Sequence, residues 1–92
     1  MAQPGHYAQS ADAAATVVGD RIVLYHRVTR TAVVLNPPGG VLWRELATSR
    51  TVSDLAAGLH RQFPSVPADD AERDVHAFLD DQVRHAFVSH QP

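Results

Sequence analysis

The nine residues "LNPPGGVLW" (35–43) limit the fold of this chain more than any other stretch. Pro37 cannot donate to a β ladder and biases Asn36 away from helical geometry, so a strand entering the segment must end there. Pro38 can open a helix, because the first turn does not need its missing N–H. The chain should therefore be extended before residue 36 and helical soon after it.

The flanks agree. "ATVV" (15–18) is a short β-prone run stopped by Gly19-Asp20, and "RIVLYHR" (21–27) is rich in β-branched and aromatic residues. Strand alternation puts Ile22, Leu24 and His26 on one face and Val23, Tyr25 and Arg27 on the other. "VTRT" (28–31) is a turn without the glycine of the commonest tight hairpins, and "TAVVLN" (31–36) is a third strand.

Beyond the junction, Val41, Leu42 and Leu46 make an apolar helix face with Trp43 beside it, broken at "TSR". Thr51 and Asp54 stand at capping-box spacing before a second helix, whose Val52, Leu55, Ala56, Leu59 and Phe63 share one face. "PSVP" (64–67) separates it from a third helix over about residues 68–85. Asp69, Asp70, Glu72 and Asp74 crowd that helix's start and Arg84 and His85 its end, as the helix dipole favours. Its apolar stripe is Ala71, Val75, Phe78, Leu79 and Val83.

The expected architecture is α+β and winged helix-turn-helix-like, a three-stranded antiparallel sheet followed by three helices. Residues 14–88 would form one domain, between a flexible N-terminal tail (1–13) and a fraying C-terminal tail (89–92). With 92 residues, 45% of them apolar and 20% charged, the chain suits a single globular domain. The segment "LNPPGGVLW" then reads as scaffold rather than contact surface.

Several chemistries are excluded or disfavoured. The chain has no cysteine, so thiolate metal sites and thiol nucleophiles are absent. No apolar run approaches the ~18 residues of a membrane span, and the N-terminus lacks a basic n-region; a cytoplasmic location is expected. No His-x-x-x-His occurs among the six histidines, and His76 with Asp80 is what an acidic helix produces by chance. No Gly-x-Ser-x-Gly elbow surrounds any serine, and Gly39-Gly40 is followed by no phosphate-loop lysine. Neither catalysis nor a cofactor is expected.

A winged-helix DNA-binding regulator is the rival reading, since such folds place a helix in the major groove. The third helix carries six acidic residues against Arg73 and Arg84, and the net charge is −2, so phosphate would repel it. The third strand offers another use. If it lies at a sheet edge, Thr31 to Leu35 presents neither charge nor internal proline to blunt that edge, and an extended peptide could pair with it.

Three segments in order, "LYHRVTRTAVVLNPPGGVLWREL", "TVSDLAAGLHRQFP" and "AERDVHAFLDDQV", resemble the PqqD-like family across about residues 15–88. The resemblance implies a non-catalytic peptide-binding module for leader sequences of ribosomally made, post-translationally modified peptides. In that family the leader adds as a strand beside the third strand and lies against the third helix. By position, the docking strand is Thr31, Ala32, Val33, Val34 and Leu35, and the helix contributes Asp74, Val75, Phe78, Leu79 and Gln82. Val75, Phe78 and Leu79 also read as ordinary core.

The chain looks most like the stand-alone leader-binding protein of lasso-peptide systems, whose companions are a leader-removing cysteine protease and an ATP-dependent cyclase. Two residues depart from the family pattern. Pro38 stands where Thr is common and Ala86 where Gly commonly ends the last helix; neither is expected to touch the cleft.

Overall fold

The computed structural model describes residues 4–92. Its elements are β1 (His6–Gln9), β2 (Ala13–Val18), β3 (Arg21–His26), β4 (Ala32–Leu35), α1 (Pro37–Glu45), α2 (Val52–Gln62), α3 (Ala68–Arg84) and β5 (Val88–Gln91). Strands β2, β3 and β4 form an antiparallel sheet in that spatial order, followed in the chain by the three helices. The α+β, winged-helix-like architecture is as the sequence predicts. No helix among the described residues is long and apolar enough to cross a membrane.

Local chemistry explains each joint. Gly19, at φ 63°, takes the first position of the two-residue turn between Val18 and Arg21, the left-handed placement that lets a tight hairpin follow the strand twist. The β3–β4 turn has no glycine. Arg30 takes the left-handed position there at φ 61°, and His26 braces the turn: its buried Nδ1 accepts from the Val28 and Thr29 N–H groups at 3.2 and 3.1 Å. That bonding places the ring proton on Nε2. The ring also meets Phe87 edge to face at 5.9 Å, so this histidine is a structural member of the core.

Helix α1 begins at Pro37, one residue earlier than predicted, because Asn36 caps it by accepting from the Gly39 N–H at 2.9 Å. Helix α2 carries the predicted capping box. Thr51 Oγ1 accepts from the Asp54 N–H and Asp54 Oδ2 from the Thr51 N–H, each at 3.1 Å. These bonds hold the Asp54 carboxyl below its ordinary pKa. The core unites Ile22, Leu24 and Leu35 of the sheet with Leu42, Trp43, Leu46, Leu55, Leu59, Val75 and Leu79 of the helices.

The termini overturn an expectation. Residues 6–9 of the expected flexible tail pair antiparallel, as β1, with β5, which runs from Val88 through residues 89–91 of the expected fraying end. Tyr7 is only 2% exposed and stacks on His90 at 4.6 Å. Its backbone also exchanges hydrogen bonds with Arg50 at 2.7 and 2.8 Å. Gln9 and Ser10 bond to the Leu46 and Phe87 carbonyls, both at 2.9 Å, so β1 is stitched to the α1–α2 turn and to the end of α3. Four-residue strands with a single buried apolar side chain leave no periodicity to detect. Met1 to Gln3 of the expected tail lie outside the described residues.

Helix α3 ends in a Schellman arrangement: Phe87 N–H bonds the Gln82 carbonyl at 2.9 Å and Ala86 N–H the Val83 carbonyl at 3.1 Å. Ala86 is left-handed at φ 65°, where a Cβ is unfavourable.

Three outcomes are expected. Tyr7→Ala should destabilise the protein by about 3 kcal/mol, as large-to-small core substitutions do, and removal of residues 1–9 should lower its melting temperature. Denaturation midpoints identical to the parent would restore the tail reading. Ala86→Gly should stabilise by about 1 kcal/mol through relief at the left-handed position; an unchanged or lower melting temperature would show that the position carries no strain.

Candidate functional site

Among the described residues, strand β4 has β3 on one side and no strand on the other. The register decides what its free side offers. Thr31 accepts from the His26 N–H at 2.9 Å, and Leu24↔Val33 and Ile22↔Leu35 continue this as the hydrogen-bonded pairs. Antiparallel geometry then turns the N–H and C=O groups of the alternate residues, Ala32 and Val34, away from β3. Val34 is 60% exposed. The strand thus presents two consecutive sets of unpaired backbone groups at its outer edge.

Beside that edge lies an open cleft of about 510 Å³. Val33, Val34 and Leu35 form one wall and Asp74, Ala77, Phe78, Asp81 and Gln82 of α3 the other. Asn36, Pro38, Gly39 and Leu42, with Leu59 of α2, complete it. The other sheet edge, β2, contributes nothing to this lining. A Cβ built on Gly39 would stand 3.1 Å from Asn36 Oδ1 and 3.5 Å from Phe78 Cε1, so glycine keeps this end of the cleft open.

Six of the ten residues assigned from sequence converge here: Val33, Val34, Leu35, Asp74, Phe78 and Gln82. Four do not line the cleft. Val75 and Leu79 are 0% exposed and belong to the core beneath α3. Thr31 precedes β4, its hydroxyl 2.7 Å from that of Thr29, and Ala32 is exposed on the sheet's outer face. Ala32 still offers its backbone to the free edge, whereas the Thr31 carbonyl is taken by His26 of β3.

The Asn36–Leu42 junction needs correcting. Read as scaffold, it supplies Asn36, Pro38, Gly39 and Leu42 to the lining, and Pro38 therefore does touch the cleft. The residues that carry the chain from the exposed edge strand into the first helix flank the groove beside that edge. That signal was available in the sequence. Ala77 and Asp81 had none, since the helix periodicity marks the buried stripe and not its borders.

The character of the cleft is mixed. Phe78, Leu42 and Leu59 are apolar, and its charged lining residues are both acidic, Asp74 and Asp81. Gln82 is buried in the place the periodicity gave to Val83, which is 36% exposed. Its Nε2 donates to Asp81 Oδ2 at 3.2 Å.

Comparison with known proteins is consistent with this geometry. A solved chain described as "TbiB1 in Complex with the TbiA(beta) Leader Peptide" superposes with a TM-score of 0.82 at 21% identity, covering 92% of this chain and 98% of that one. At that identity the match establishes a shared fold. No curated protein sequence matches the chain. The family profile described as "Coenzyme PQQ synthesis protein D (PqqD)" matches residues 21–88, from the first residue of β3 to the first of β5. This match spans most of the chain, which therefore belongs to the PqqD family.

Proposed function

We propose that this protein is a non-catalytic recognition module that binds the leader of a ribosomally synthesised precursor peptide, adding it as a strand along β4. The observation that carries the reading is the free edge at Ala32 and Val34, set beside a cleft walled by α3. A peptide strand paired there gains main-chain hydrogen bonds, while its alternate side chains enter the cleft and supply selectivity. The solved structure of similar fold was determined with a leader peptide, which supports the same use here.

The reading extends to partners. The bound precursor is held for a leader-removing cysteine protease and an ATP-dependent cyclase of a lasso-peptide pathway in the cytoplasm. Such a module acts by raising the local substrate concentration at those enzymes, and needs no reactive group of its own. Duplex DNA suits the surface less well, because α3 bears six carboxylates against two arginines.

Fluorescence anisotropy of a labelled leader, taken from a precursor encoded beside this gene, tests the proposal. Saturable binding is expected for the true leader and not for a scrambled leader or a DNA duplex. Equal binding of the scrambled peptide, or binding of the duplex alone, would reject it.

The ladder also specifies a backbone test. Val34→Pro removes an N–H that β3 does not use, so affinity should fall at least about tenfold while the melting temperature changes little. Proline at Val33 is a poorer probe, because the Val33 N–H belongs to the pair with Leu24. Undiminished affinity in folded Val34→Pro would exclude strand addition at this edge.

A further inference from the structure

We propose that Gln82, Asp74 and Asp81 form an acceptor-only subsite of the cleft that selects a cationic side chain, arginine or lysine, on the bound peptide. The inference rests on the peptide-binding reading and adds the chemistry of one recognised residue. Gln82 is 4% exposed, yet its Oε1 has no hydrogen-bond partner among the described residues. The bond from its Nε2 to Asp81 Oδ2, at 3.2 Å, fixes which end of the amide is the oxygen. A buried carbonyl without a donor is unfavourable, and most such groups in folded proteins are satisfied. Gln82 lines the cleft, and a turn of its amide as the peptide binds would bring this enclosed oxygen to a donor there.

Placement indicates the kind of donor. Residues 74, 78 and 82 follow one another at steps of four, so Asp74, Phe78 and Gln82 form one row along α3. Asp74 has no ion-pair partner among the described residues. Asp81 receives the Gln82 amide on Oδ2, and its Oδ1 lies 3.5 Å from His85 Nδ1. No arginine or histidine lines the cleft to neutralise these groups.

A hydroxyl or backbone N–H could satisfy the Gln82 oxygen but would gain nothing from the two exposed carboxylates. A long cationic side chain meets all the requirements: its methylenes cover the Phe78 ring and its head donates to oxygen acceptors alone. Anionic side chains would be repelled from the same row.

A double-mutant cycle by anisotropy tests this, using the labelled leader of the neighbouring precursor. Each Lys and Arg of that leader is replaced singly by Met, and the protein is used as parent, Gln82→Met and Asp74→Asn/Asp81→Asn. One cationic position should lose about tenfold or more in affinity on the parent, and much less on either variant. The melting temperature of Gln82→Met should be unchanged or raised, since an orphan acceptor is replaced by an apolar group of similar length.

A leader that binds tightly and tolerates every Lys and Arg replacement would overturn the subsite while leaving strand addition intact. So would an equal loss on parent and variants. Absence of any leader binding would reject the peptide-binding reading and the subsite together.

Discussion

The hydrogen bond from the Gly39 N–H to Asn36 Oδ1, 2.9 Å long, sets the geometry on which the cleft depends. It ends β4 and begins α1 within one residue, with Asn36 extended at φ −74° and ψ 172° and Pro37 already helical. A looser connection would let β4 run on past Leu35. Pro37 ensures that it cannot, having no N–H to offer a further ladder bond. Gly40 then brings α1 close to β3, where a Cβ would stand 3.3 Å from Ile22 Cδ1.

An open edge is normally a hazard, because unpaired backbone groups recruit other chains. This protein confines the hazard. Strand β4 is only four residues long, its end is closed by prolines, and the acidic α3 stands across the cleft from it. A nonspecific strand therefore meets a short template and two carboxylates, while a complementary one gains both backbone bonds and side-chain contacts. The terminal strands close the fold elsewhere: β1 pairs with β5 and bridges to Arg50, leaving β4 uncovered.

Much of the fold was legible because it is encoded locally. Thr51 and Asp54 announce their capping box at a spacing of three, and the alternation in β3 separates buried Ile22, Leu24 and His26 from their less buried neighbours. The terminal sheet was not legible. "HYAQ" and "VSHQ" gain strand geometry from each other, across about eighty residues, and from the bridge to Arg50, with Tyr7 and Val88 as their buried anchors. Likewise no local rule gives a glutamine precedence over the neighbouring valine. Gln82 is inward because α3 rotates to bury Val75 and Leu79, which leaves Val83 at the margin.

The amino-acid order alone determined β2 to β4, the three helices, the capping box of α2, the abrupt end of β4 and the acidic surface of α3, since each depends on residues within a turn or two of one another. The tertiary structure alone decided which backbone groups of β4 face outward, which side of α3 lines the cleft, and that the Gln82 oxygen lacks a donor. Those facts depend on strand register and helix rotation. Both are fixed by packing between residues far apart in the chain, where short-range periodicity carries no information.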